Sequence, residues 1–314
     1  MPAEDLGAIV GRVRLVPDRY RIFDKNASTA LRIYRLDASL LTELLDLGFP
    51  HDVSGGELFF DDLDLANVSL ALRLPSPRYL AMRRWPEIFR TVGDGSPISY
   101  QVEVSAECGW AEPRHACEFQ RAAELNALGA DAGPSHQKFM LQREVGGTGR
   151  AQNAPDGLDV LFAEVSEFRF HILPLALYGD LSFVAETSLA NCELASLHLA
   201  RRATEEGWEA RRSFGLLVSS PYSLPHFWPE VRLGGAWTAF DPHMINSLVR
   251  WDLLTPSEVP TAQAMSSAVL RLADEWVDLV QDAGRAAPVS LLTRRRPGTA
   301  PALSSAGPVG EATP

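Results

Sequence analysis

Residues 189–211 read LANCELASLHLARRATEEGWEAR, and residues 226–243 read HFWPEVRLGGAWTAFDPH. The first stretch reads as a helix with a thiol at its start. Leu194, Leu197, Ala200 and Ala203 recur at helical spacing, and Gly207 stands where a left-handed C-terminal stop is expected. Asn191, immediately before Cys192, is a good N-cap. Unpaired N–H groups in a first helical turn carry partial positive charge, which favours the thiolate, the reactive form of cysteine.

The second stretch reads as a hairpin. HFWPEVRL and AWTAFDP alternate apolar and polar residues around Gly234 and Gly235, a turn pair that fits a two-residue connection. With those glycines at the turn, Leu233 lies opposite Ala236, Trp228 faces Asp241, and His226 faces His243. Asp241 then projects from the same face as His226, one pair away. A one-residue slip would part them, and Pro229 marks an edge position or an irregular pair in the first strand.

A thiol at a helix start, packed on a hairpin that carries imidazole and carboxylate, meets the needs of nucleophilic acyl transfer: the imidazole withdraws the thiol proton and the carboxylate fixes its orientation. At this point a resemblance becomes specific. The segment from Leu189 to His243 resembles the core of the transglutaminase-like superfamily, a branch of the papain-like cysteine enzymes. That pattern is a cysteine at a helix start, a Gly-x-x-Ala-Arg step, a His-x-Trp-x-Glu strand, and a Trp followed by Asp-Pro. Cys192, Gly207 with Ala210 and Arg211, His226 with Trp228 and Glu230, Trp237, and Asp241 with Pro242 match it in order. The resemblance implies Cys192 as nucleophile, His226 as general base and acid, and Asp241 as its orienter. The Gly-Asp-Cys that commonly leads into the helix of the family reads Ala190-Asn191-Cys192 here, and a tryptophan beside the cysteine, seen in some members, is missing. These departures bear on substrate more than on mechanism.

Plainer readings stand beside this one. A lone cysteine in an apolar helix is ordinarily a small buried hydrophobe. His226 alone reads as a core histidine, and Asp241 before Pro242 as a turn residue. Trp228 and Trp237 read as core packing and Glu230 as a structural or solvent partner. His243 competes with His226 for the role of base, and the family position favours His226. For an oxyanion, the backbone N–H of Cys192 is one expected donor; Tyr178 is a candidate second donor by location only.

Composition fits an ordinary soluble enzyme. The chain has 314 residues, 46% of them hydrophobic, enough for one large or two small domains. A net charge of −11 and a pI near 5.1 argue against nucleic acid and anionic membranes as partners. No run of 18 apolar residues occurs, and the N-terminus MPAEDLGAIV lacks a basic segment followed by an apolar one, so a cytoplasmic location is expected. The Asn67-Val68-Ser69 sequon is then a chance match. Lys25 and Lys138 are the only lysines among 29 basic residues, a bias that, with abundant Ala, Leu and Pro, suggests a GC-rich bacterial genome. Cys108 and Cys117 with His115 between them are weak evidence for zinc. A structural or incidental role is preferred, and a disulfide is disfavoured in the cytoplasm.

Four regions are expected: an N-terminal α+β region of unknown role over 1–130, a Gly/Pro-rich loop or linker over 131–157, a transglutaminase-like catalytic domain over 158–285, and a disordered tail over 286–314. Within them the patterns predict a helix from Ala38 to Gly48, a helix from Ser76 interrupted near Pro86, a strand from Ser99, a strand through Phe214 to Val218, and a last helix from about Ala262 to Ala283. These patterns give an α+β fold class, and the resemblance implies a papain-like transglutaminase core with its nucleophile at a helix N-terminus packed on an antiparallel sheet. The chemistry that the resemblance implies is cysteine-dependent acyl transfer, expected to form an amide bond in bacterial natural-product biosynthesis between an acyl (thio)ester or amide donor, for example a carrier-protein-bound thioester, and an amine. Two alternatives stay open: an amidohydrolase, peptidase or deamidase using water, and a non-catalytic binding protein on the same fold. No glycine-rich phosphate loop is present, and no cofactor or metal is called for.

Overall fold

The computed structural model describes residues 5–93, 98–109, 116–133, 135, 137–145, 155–259 and 268–296. The architecture is α+β, with helices packed on antiparallel sheets. The sheet that matters most is built on the expected hairpin. Leu224–Leu233 pairs with Ala236–Ala239 through the partners Leu233 and Ala236, as the Gly234-Gly235 turn predicts, and both glycines adopt the positive φ such a turn requires. The order is Ala236–Ala239, Leu224–Leu233, Ala210–Leu217, Val269–Ala273, all antiparallel.

The far end of the hairpin departs from the expected register. Pairing stops at Glu230 and Ala239, and Asp241 leaves the sheet to become the N-cap of a helix, Pro242–Arg250. The reason is local: Pro242 has no N–H for a ladder and its fixed φ suits the first helical position. Neither Trp228–Asp241 nor His226–His243 is therefore a strand pair, and His243 sits on the helix. Pro229 sits where this divergence begins. Its carbonyl accepts from the Phe240 N–H at 3.0 Å, so its missing N–H faces the side on which the ladder ends.

The cysteine helix, Cys192–Glu205, lies on this sheet, with Leu194, Ala195, Leu199, Ala200 and Ala203 buried. It ends as expected, with Gly207 at positive φ. Helix Leu158–Glu167 packs beside it, and a short parallel pair, Arg169–Phe170 with Leu189–Ala190, pins the chain just ahead of Cys192.

Two expectations for the C-terminal part are corrected. The last helix from Ala262 to Ala283 is absent over its described residues: Val269–Ala273 is a strand closing the open side of Ala210–Leu217, and Val280–Asp282 is another. Residues 260–267 lie outside the described ones. A sheet edge in need of a partner outweighs helical spacing there. The tail expected to be disordered holds a seven-residue strand, Val289–Arg295, paired with Ile98–Ala106. The other neighbour of Ile98–Ala106 in that sheet, Lys138–Val145, falls inside the stretch expected to be a loop or linker. The two sheets meet at the loop before the histidine strand, where Thr293 donates its backbone N–H to Pro221 and Ser223 bonds Leu291 and Thr293.

The N-terminal part is welded to the sheet that carries His226. Buried side chains from Ile9 and Val68 through Phe89, Trp228 and Leu248 to Leu291 form one core. Helix Asp62–Ala71 is anchored by Asn67, whose amide bonds both the N–H (2.7 Å) and the carbonyl (3.0 Å) of Ile172. That residue is buried and committed, so its sequon is unreachable. The expected helices appear as Ala38–Asp46, Pro77–Met82 and Trp85–Gly93, the last two separated near Pro86. Cys108 and Cys117, just after Ile98–Ala106 and just before Phe119–Arg121, form a disulfide with Cα atoms 6.2 Å apart, the pairing that an expected cytoplasmic location disfavoured. His115 lies outside the described residues. Among the described residues no helix is long and apolar enough to cross a membrane.

Candidate active site

Cys192, His226 and Asp241 converge. The thiol is held at the helix start because Asn191 accepts the Leu194 N–H at 2.8 Å through its side-chain oxygen, the N-cap read from the sequence. Ala190, one step earlier, accepts the His171 N–H at 2.9 Å, so the entry to the helix is fixed by the parallel pair. His226 comes from the central part of the histidine strand and is 3% exposed; Asp241 is 4% exposed. The two carboxylate oxygens of Asp241 divide their work. One lies 2.6 Å from His226 Nε2, and the other accepts the Met244 N–H at 2.8 Å, capping the helix.

With Nε2 engaged by the carboxylate, the opposite ring nitrogen is left for sulfur. Burial pushes the His226 imidazole toward neutrality, but hydrogen bonds to Asp241 and to Cys192, with the negative charge of both, outweigh it and raise its pKa to about 10. The imidazolium form is thus strongly favoured between a carboxylate and a sulfur. Such an arrangement can hold a nucleophilic thiolate and return a proton to a leaving group.

His243 does not compete as the base. Its Nε2 is 3.2 Å from the Ala190 carbonyl, its ring stacks on Phe170, and burial lowers its pKa to about 4. Asp241 spends neither oxygen on it. Tyr178 is within electrostatic range of the thiol: burial raises its pKa, the charge of Cys192 raises it further, and its phenol is hydrogen-bonded to Asn191, the cap of the cysteine helix. The phenol therefore keeps its proton.

Glu230 is a structural hub. It is buried, and it accepts from Arg211 Nε (2.7 Å), Ser213 (2.9 Å) and the Trp228 indole (3.2 Å), with Arg271 at 3.6 Å. This ties Arg211, Trp228 and Glu230 into one network. Trp228 is core, as expected, and Trp237 is half-buried under the Arg211 guanidinium at 4.0 Å.

Several contributors carry no sequence signal. Gly215 is the cross-strand partner of His226, and a Cβ there would sit 2.1 Å from the Leu270 carbonyl and 2.9 Å from the Trp228 ring. Only glycine lets Val269–Ala273 close on Ala210–Leu217 behind the histidine. A pocket of about 230 Å³ opens on Cys192 and His226, its walls include Met82, Trp85, Leu224, Met244 and Trp251, and Arg78 is the one arginine or lysine among the described residues that line it. Arg78, Met82 and Trp85 belong to the N-terminal part, which shows no motif; they reach the site through tertiary packing alone.

The buried histidines set an acid limit on stability. His171 and His243 have pKa values lowered to about 3 and about 4 by burial, against about 6.5 in an unfolded chain. Above pH 6.5 both are neutral whether folded or unfolded and cost nothing. Below it the unfolded chain binds protons that the folded one refuses, so stability falls as pH drops toward 4. Each group is expected to remove on the order of 2 kcal/mol by pH 5. Urea unfolding at pH 7 and pH 5 checks this in phosphate-free buffer, with His243→Gln expected to flatten the difference; an unchanged midpoint contradicts it.

A comparison with models of known protein families gives no match, and none of the curated proteins matches the chain.

Proposed function

We propose that the protein is a cysteine acyltransferase with a papain-like, transglutaminase-like core, in which Cys192 is the nucleophile, His226 the general base and acid, and Asp241 the orienter. One observation carries this reading: a buried histidine shared between a carboxylate at 2.6 Å and a cysteine sulfur at a helix start. A structural histidine would not need both partners. Cys192 sulfur attacks the donor carbonyl and forms a C–S bond, with the electron pair of the carbonyl moving to oxygen. The backbone N–H of Cys192 and the Tyr178 hydroxyl are the donors proposed to take up that charge. Collapse of the intermediate expels the donor's leaving group, which takes its proton from His226. An amine then adds to the acyl-enzyme, His226 removes its proton, and the amide departs as the thiolate is restored.

The apolar walls of the pocket suit an acyl group with hydrocarbon character and limit water at the acyl-enzyme. Water as acceptor gives the hydrolase reading, and the two routes differ only after acylation. The experiment is a panel of acyl thioesters with and without amines, followed by product analysis and intact mass. Expected are a covalent acyl adduct on the wild type, none on Cys192→Ala, and amide product rising with amine. Acid alone at saturating amine turns the reading to a hydrolase; no adduct with any donor turns it to a binding protein. Tyr178→Phe is expected to lower kcat by roughly 100-fold with little change in KM, since an oxyanion donor acts mainly in the transition state. An unchanged kcat removes Tyr178 from the mechanism.

A further inference from the structure

A second cavity, of about 250 Å³, lies behind the catalytic pocket and shares Phe170, Ser247 and Trp251 with it. Its other walls come from the N-terminal helix Leu6–Val13, the helix Asp62–Ala71, and the segment around His171. Arg12, Arg73, Arg169 and Arg250 all line it, and among the described residues no aspartate or glutamate does. In a chain with a net charge of −11, four guanidinium groups around one cavity concentrate positive charge there.

The arginines are differently held. Arg250 is fixed by the carbonyls of Ser166 and Phe168 and lies 3.9 Å from the exposed Glu167 carboxylate, and Arg73 is fixed by the Arg250 carbonyl and by Asp252, an exposed residue outside the cavity lining. The Arg169 backbone N–H bonds Ser188, and its exposed guanidinium makes no hydrogen bond or ion pair to a described residue. The independent observation is His171. It is 3% exposed, lines the same cavity, and its Nε2 has no hydrogen-bond partner among the described residues. A buried ring nitrogen left unsatisfied costs on the order of 1–3 kcal/mol unless something fills the site. Its backbone N–H is what holds Ala190 ahead of the cysteine, so its position is not loose.

The geometry points to a second ligand site: this cavity takes a small oxyanion, a phosphate or carboxylate group, with His171 Nε2–H and the arginine N–H groups as donors. Guanidinium forks match both anions, and a neutral imidazole completes the ring of donors without adding charge to be buried. The site is independent of acyl transfer and stands whether or not Cys192 is a nucleophile.

The test is titration of the full chain with inorganic phosphate and, separately, with malonate, at constant ionic strength against chloride. Binding is followed by calorimetry and by the ¹⁵N signal of His171 Nε2. Expected is saturable binding of at least one anion, with movement of the His171 signal, and affinity at least tenfold weaker in Arg169→Gln. That side chain is exposed and its replacement leaves the core intact. Arg12→Gln serves as the second variant. Tighter phosphate or tighter malonate binding identifies which oxyanion the site prefers. The proposal is overturned if neither anion binds better than chloride, if the His171 signal stays still at saturation, or if both variants bind as the wild type does. The alkylation rate of Cys192, measured in parallel without either anion, is expected to be unchanged in Arg169→Gln, which keeps this result apart from any failure of the catalytic reading.

Discussion

Asp241→Ala is expected to lose acyl transfer by about four orders of magnitude and to destabilise the fold by about 3–5 kcal/mol, whereas Asp241→Asn is expected to lose activity to a similar degree with a smaller stability cost. The difference follows from the two oxygens. One caps the helix Pro242–Arg250 at Met244, and asparagine caps nearly as well as aspartate. The other holds His226 at 2.6 Å, and only a carboxylate can balance a protonated imidazole in a site this buried. Alanine leaves the imidazole unpaired and the first turn open. Single-turnover rates and urea midpoints on the same preparations separate the two effects. Full activity in Asp241→Asn would mean that the carboxylate serves the helix alone.

The second large effect is expected at Glu230. Its carboxylate ties Arg211, Ser213, Trp228 and the nearby Arg271 into one buried network beneath the histidine strand. Glu230→Ala strands a hydroxyl and an indole N–H and removes the counter-charge of Arg211, for an expected loss of about 3–5 kcal/mol. Glu230→Gln keeps the shape and an acceptor and is expected to cost less, on the order of 1–3 kcal/mol. Urea unfolding measures both. A loss within 0.5 kcal/mol in the alanine variant would show that the network contributes specificity without stability.

The parts of the site that sequence reveals are those fixed by short-range rules. The cap at Asn191, the helix stop at Gly207 and the turn at Gly234-Gly235 each rest on one or two residues with a single good conformation, and all three are present. The hairpin register holds as far as Glu230 and Ala239. Beyond it, Pro242 converts Asp241 from a strand residue into a cap, so the aspartate reaches His226 from a helix start rather than along a strand face. The strand Val289–Arg295 carried a legible signal: Val289, Leu291 and Thr293 alternate toward the core between Ser290 and Leu292, but the low-complexity residues that follow mask it. Val269–Ala273 carried less, because its apolar residues fit helix and strand alike until the bare edge of Ala210–Leu217 decides. The contribution of Arg78, Met82, Trp85 and Gly215 was not legible at all. Each matters through what lies across from it in space, and nothing local in the chain states that.

The central claim is that Cys192 and His226 act as one unit, and its most direct measurement is the rate of Cys192 alkylation by limiting iodoacetamide at pH 6, with peptide mass mapping, in the wild type and in His226→Ala. A thiol paired with a protonated imidazole reacts as thiolate well below the pH at which a free thiol does. The expected result is labelling of Cys192 at least tenfold faster than a free cysteine in solution, and loss of that advantage in His226→Ala. Labelling of Cys192 no faster than free cysteine in both proteins would contradict the claim and leave the cysteine, histidine and aspartate as the core of a binding protein.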